Sequence, residues 1–117
     1  MTRHRVVFIT ASSQEEAQRI ARTLVEERLA ACVNILPGIR SVYRWKGQIH
    51  EDPEVLLTAK TAGQMLDPLI QRVKQLHSYE VPEIIALPIL AGAEDYLPRQ
   101  SGMEYLSWID EQTAPDS

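Results

Sequence analysis

Two short runs of this chain, Val6-Val7-Phe8-Ile9 and Val55-Leu56-Leu57, are apolar at every position. A strand that faces water on one side alternates apolar with polar residues, whereas an unbroken apolar run calls for cover on both sides. Only two strongly amphipathic helical patterns accompany these strands. The first runs from about 13 to 28. Ala17, Ile20, Ala21, Leu24 and Val25 recur at helical spacing, with Glu15, Glu16, Gln18, Arg19, Arg22 and Glu26 elsewhere. Ser12 or Ser13 offers the N-cap, and Glu15 and Glu16 follow three residues later, as a capping box requires. The second runs from about 62 to 76, with Met65, Leu66, Leu69, Ile70, Val73 and Leu76 as its stripe. Thr61 can cap it. Alternatively the helix begins near Asp67, with Pro68 at its first position, where proline is tolerated.

Between the two helices lies a long hairpin, roughly Ala31 to Thr61. Ala30 to Leu36 reads as a strand, Pro37-Gly38 marks a bend or bulge, and Ile39 to Trp45 resumes the extended pattern. Lys46-Gly47-Gln48 is a turn. The return strand starts at Ile49, breaks at Glu51-Asp52-Pro53 and continues from Glu54 to Lys60. After the second helix, Pro82 to Ile89 reads as a strand whose two prolines suit a sheet edge or a strand end. A short helical pattern from Met103 to Gln112 closes the chain.

The order β-α-β-β-α-β plus a C-terminal helix defines an α+β fold, the ferredoxin-like split βαβ sandwich with a long kinked central hairpin. Residues 1–117 form one domain, the size a single core supports. Both main helices of such a fold pack on one sheet face. The doubly apolar strands then leave the other face uncovered, and a large uncovered apolar face marks an interface. The hairpin also outruns a small sheet, so its far half around Trp45 projects. A homo-oligomer is expected on these grounds.

Composition excludes several classes. Twelve Lys+Arg stand against sixteen Asp+Glu, a net charge of -4, and the basic residues form no run, which argues against a nucleic-acid partner. No apolar stretch approaches the ~20 residues of a membrane helix. The basic start, Thr2-Arg3-His4-Arg5, precedes an apolar run of only Val6 to Ile9, too short for a signal peptide, so a cytoplasmic location is expected. Cys32 is the one cysteine, and no internal disulfide can form.

The stretch from Leu76 to Glu83 carries the densest polar chemistry. His77, Ser78, Tyr79, Glu80 and Glu83 make it a candidate binding loop held between rigid elements. The alternative is a well-capped connection with half-buried His77 and Tyr79. Cys32 and His77 are the soft and borderline ligands on offer, a pair that suits Cu(I), Cu(II) or zinc. Four ligands at structural-zinc spacing are absent, and Cys32, flanked by Ala31 and Val33, can equally be a buried inert thiol. His4 and His50 read as solvated. Lys60 ends an apolar strand: it either snorkels to solvent or faces a cleft with Tyr79 and Glu80 and binds an anion. Trp45 at the hairpin tip is expected to be buried against a neighbouring subunit, or else to stack on a ligand. The spacing of Glu80 and Glu83 defines neither metal binding nor acid-base work.

Four motifs in order carry a resemblance: Leu29-Ala30-Ala31-Cys32-Val33-Asn34, Tyr43-Arg44-Trp45-Lys46-Gly47, Glu54-Val55-Leu56-Leu57 leading to Lys60-Thr61, and His77-Ser78-Tyr79-Glu80-Val81-Pro82-Glu83. The chain resembles the CutA divalent-cation tolerance family from about Val6 to Asp110. The resemblance implies a ferredoxin-like homotrimer, similar in build to the PII signalling proteins. It implies copper binding and metal tolerance, a link in animals to acetylcholinesterase maturation, and no enzymatic reaction. Cys32, the only thiol, and His77, one of three imidazoles, both fall in these motifs, and on that chemistry weak copper binding at Cys32 is expected, with His77 as a candidate second ligand. A PII-like sensor, with an anion cleft between subunits formed by Lys60, Tyr79, Glu80, Glu83, Trp45 and Trp108, is the alternative. Two departures stand out. Ser78 occupies a position where the family usually has proline, which frees His77 from extended conformations. Tyr96-Leu97 and Tyr105-Leu106 also lie nine positions apart, with Pro98 to Glu104 between them as an apparent insertion and Trp108 as the family tryptophan.

Overall fold

A computed structural model describes residues 3–92 and 103–113, the side chains of the second stretch from Trp108 onward. The chain runs β1 (His4–Ala11), α1 (Gln14–Glu26), β2 (Cys32–Trp45), β3 (Gln48–Ala62), a 3-10 turn (Gly63–Met65), α2 (Leu66–Leu76), β4 (Ile84–Pro88) and α3 (Met103–Thr113). The sheet order is β2-β3-β1-β4, and every neighbouring pair is antiparallel. This is the expected ferredoxin-like α+β arrangement. The apparent insertion lies outside the described residues, except that Met103 and Glu104 begin α3.

α1 starts where its sequence says it should. Ser13 is extended (φ -153°, ψ 164°), and its Oγ accepts the Glu16 amide at 3.1 Å, which satisfies one orphan donor of the first turn. The helix ends in a Schellman turn: the Arg28 amide donates to Val25 O (3.1 Å) and the Leu29 amide to Leu24 O (2.8 Å). Arg28 sits there at φ 61°, a position that usually belongs to glycine. Its guanidinium donates to Glu111 O at 2.7 Å and so ties the end of α1 to α3.

α2 departs from expectation at its start. Thr61 does not cap it. That residue is fully buried at the end of β3, and its hydroxyl donates to Leu29 O at 2.7 Å. The 3-10 turn leads into α2 without a side-chain cap, and Pro68 is the third helical residue. Its missing N–H has no intrahelical acceptor to lose there. Gly63 is obligatory for a different reason: its amide bonds Arg3 O at 2.7 Å, and a Cβ would stand 2.8 Å from that same oxygen.

The core is one layer between the sheet and α1 with α2. Val7, Ile9 and Ala11 of β1 and Val55, Leu57 and Ala59 of β3 meet Ala17, Ile20, Leu24, Leu69 and Val73, all buried. The alternate residues point the other way. Register places Cys32, Lys60, Val6 and Leu87 in one row, Asn34, Thr58, Phe8 and Ile85 in the next, and Leu36, Leu56 and Thr10 in a third. On this second face Leu36 (43%), Ile85 (52%) and Leu87 (45%) are substantially exposed. Among the described side chains α3 meets the sheet at one end, where Ile109 packs with Ala31 and Ile89. His4 is buried there with Nε2 3.0 Å from Asp110 Oδ1, so it is not solvated as its sequence context suggested.

The hairpin is long and kinked as expected. Its register slips between Leu36 and Ile39, and Gly38 takes φ 83°. One expectation fails: β3 is continuous through Glu51-Asp52-Pro53. β1 ends at Ala11, opposite Val55. Beyond that point β3 is bonded to β2 alone among the described residues, and a proline is tolerated on a strand with one free edge. The tip is a two-residue turn with Lys46 at φ 50° and Gly47 at φ 78°, the type I′ geometry that matches strand twist.

Candidate functional site

The loop after α2 is held by buried polar contacts. His77 closes α2, its amide on Val73 O at 2.9 Å, and turns its ring inward. Nε2 lies 2.6 Å from the Thr10 carbonyl, which can only accept, so Nε2 carries the proton. Nδ1 accepts the Tyr79 amide at 3.0 Å. Both ring nitrogens are thereby used, and a metal could bind His77 only by displacing one of them.

Glu16 is the second anchor of this loop. Its Oε1 accepts the Ser12 amide and hydroxyl, both at 2.9 Å, and Oε2 accepts the Ser78 amide at 2.6 Å. Burial opposes its ionisation, but the hydrogen bonds from Ser12 and Ser78 outweigh burial and hold the carboxyl at about 2. The capping-box spacing pairs Glu16 with Ser13, whose Oγ takes the Glu16 amide, but the carboxylate reaches one residue further back, to Ser12. Nothing in the sequence pairs Glu16 with Ser78 across the fold.

Tyr79 crosses to the hairpin. Its hydroxyl donates to Glu54 Oε2 at 2.7 Å and its ring lies 4.7 Å from the His77 ring. Burial, then the Glu54 hydrogen bond, push the Tyr79 phenol well above its ordinary value, so it stays a donor. Glu54 is another residue the sequence did not single out. Glu80 and Glu83 are exposed on the loop, and neither makes a hydrogen bond or ion pair with the described residues. Farther out, Tyr43 donates to Asp52 and stacks on His50 with centroids 5.4 Å apart. Trp45 is 56% exposed and Trp108 38%.

The remaining candidates lie elsewhere. Cys32 begins β2, half-buried, directly across from Lys60. The Lys60 ammonium donates to Asn34 Oδ1 and, at 3.1 Å, to Thr58 Oγ1. Lys60 lies six positions along β3 from Glu54, the Tyr79 partner, about 20 Å of strand. One chain therefore does not place Lys60 in a cleft with Tyr79. Cys32 and His77 are likewise apart. His77 bonds Thr10, which pairs with Leu56, four residues or roughly 13 Å along β3 from the Lys60 row, with β3 and β1 in between. A shared Cys32–His77 site is not formed within one chain. No group of three or more His, Cys, Asp or Glu stands ready for a metal among the described residues.

A split βαβ fold with one sheet face that the described residues leave largely uncovered, a long hairpin and a His-Ser-Tyr loop pinned to α1 defines a narrow class. The chain matches the family described as CutA1 divalent ion tolerance protein over residues 5–112, and it belongs to that family. It is 53% identical to the divalent-cation tolerance protein CutA of Thermus thermophilus over 92% of this chain and 96% of that one. The solved structure of the divalent cation tolerance protein (Cut A1) from Thermus thermophilus superposes with a TM-score of 0.85 at 51% identity, covering 95% of this chain and 99% of that chain. The chloroplastic protein CutA of Arabidopsis thaliana is 49% identical over 79% of this chain, which spans only 50% of its length. No helix among the described residues is long and apolar enough to cross a membrane.

Proposed function

We propose that the chain works as a cytoplasmic homotrimer in the response to divalent metal ions, with Cys32 as its copper contact and no catalytic role. The observation that carries the assembly is the second sheet face, which the described residues leave largely uncovered. On it Val6, Phe8, Ile85 and Leu87 form an apolar patch across β1 and β4, with Leu36 and Leu56 diagonally beyond Asn34 and Thr58, and among the described residues α3 covers one end of the sheet. A second and third copy supply the missing layer. The divalent-cation tolerance named for the relatives supports the metal reading. Cys32 lies on that same face, so its surroundings in a trimer include residues from other copies. The thiolate is a soft ligand suited to Cu(I). His77 adds little, because it must first give up Thr10 or Tyr79.

The test is a competition titration against a Cu(I) chelator at two pH values. Cys32→Ser is expected to lose most of the affinity and His77→Ala much less, with binding weaker at the lower pH because the thiol must deprotonate. Equal affinity in wild type and Cys32→Ser would refute the copper assignment. The alternative anion-sensing reading gains no support from the geometry: the Lys60 ammonium is already held by Asn34 and Thr58, and the loop presents Glu80 and Glu83.

A further inference from the structure

α3 brings little of its own to hold itself in place. A helix of 11 residues is marginal in water by itself. Its last turn carries Asp110 and Glu111 and no base, the wrong sign for the negative end of a helix. Among its described side chains Ile109 is the one fully buried apolar group, packed with Ala31 and Ile89. The positive charge at that end comes from other elements. Arg28, just past α1, donates to Glu111 O at 2.7 Å. From the start of the chain, Arg3 Nη2 lies 3.4 Å from Asp110 Oδ2 and His4 Nε2 lies 3.0 Å from Asp110 Oδ1. Arg28 holds φ 61° in making its contact. A non-glycine residue there is strained, and glycine would close the same Schellman turn without strain. What glycine lacks is the guanidinium on Glu111 O.

The docked end lies beside Cys32. Ala31 immediately precedes Cys32, and its amide donates to Lys60 O at 2.8 Å. The Ile89 amide donates to His4 O at 3.0 Å. His4 pairs with Ala62, one same-face row past Cys32, Lys60, Val6 and Leu87. Cys32 itself is only partly exposed. We propose that α3 is a latched cover over the Cys32 end of the second sheet face. Arg28 and the two Asp110 pairs are the latch. When they release, α3 undocks and melts as one unit, and the Cys32 thiol opens to solvent. Undocking removes the counter-charges and the apolar partners together, so nothing then sustains the helix. Segments that gate access are drawn from the least stable parts of a fold. The inference rests on the Cys32 reading above and deepens it by naming what controls access to that thiol.

The test compares wild type, Arg28→Gly and Asp110→Asn at one pH. It reads hydrogen exchange and the rate at which N-ethylmaleimide labels Cys32. Exchange over 103–113 should run about tenfold faster in both variants, the usual effect of losing one charged contact. Cys32 labelling should accelerate by a similar factor. Exchange over β1 and β3 should match wild type, and Arg28→Gly should melt close to wild type because relief of strain at 28 offsets the lost contact. Unchanged exchange over 103–113 overturns the latch. Faster exchange there with unchanged Cys32 labelling overturns the control of access. An equal rise over β1 and β3 means general loosening and overturns both. Neither readout involves copper, so any of these failures leaves the copper assignment to its own titration, and failure of that titration leaves the cover standing.

Discussion

Replacing Glu16 with glutamine tests the anchor of the whole His77 loop. Held at about 2 against an ordinary 4.5, the carboxylate contributes about 3 kcal/mol at neutral pH, since each tenfold change in proton affinity is about 1.4 kcal/mol. The sign follows from the direction. A depressed carboxyl binds protons more tightly in the unfolded chain, so its stabilisation is complete above the ordinary value of 4.5 and is lost as pH falls from there toward 2. Glutamine keeps the shape but removes the charge, and its amide turns a donor toward one of the amides that Glu16 accepts. At pH 7 Glu16→Gln should therefore unfold at a urea midpoint about 1–2 M lower, taking about 3 kcal/mol over a typical urea dependence. Near pH 2 the two proteins should converge. The assay is urea unfolding followed by tryptophan fluorescence at both pH values, at fixed protein concentration because assembly shifts the midpoint. Equal midpoints at pH 7 would refute the reasoning, and so would a gap that persists undiminished at pH 2.

Gly63→Ala should destabilise by about 1–3 kcal/mol in a thermal melt, because its Cβ meets the Arg3 carbonyl rather than a movable side chain; an unchanged melt would show that the β1 start shifts freely. Lys46→Asn should stabilise by a few tenths to about 1 kcal/mol, since asparagine tolerates the positive φ of a type I′ turn; a lower melting point would contradict the turn assignment. Trp45→Ala should weaken assembly by about 3–5 kcal/mol, the usual effect of truncating an aromatic buried in a contact. An unchanged oligomer with unchanged melting would mean that Trp45 stays in solvent.

The fold was readable because its periodicities are clean. The stripe Ala17, Ile20, Leu24 and the unbroken Val6 to Ile9 admit few arrangements, and Pro37-Gly38 marked the bulge correctly. The errors share a cause: each depends on which element lies alongside. Pro53 looked like a strand break because the sequence does not show that β1 stops at Ala11, which leaves β3 an open edge. Thr61 looked like a helix cap because its true acceptor, Leu29 O, is 32 residues away. His4 looked solvated because Asp110 is at the other end of the chain. The polar loop was visible as a cluster of residue types. That His77 faces inward and Tyr79 outward to Glu54 was not, because loop residues carry no periodicity to assign a face.

The assembly proposed for this chain depends on the second sheet face being covered by copies of itself. Light scattering on the wild-type protein at micromolar concentration measures that directly. The expected mass is three times the 13.3 kDa of one chain; a mass of one chain would contradict the account.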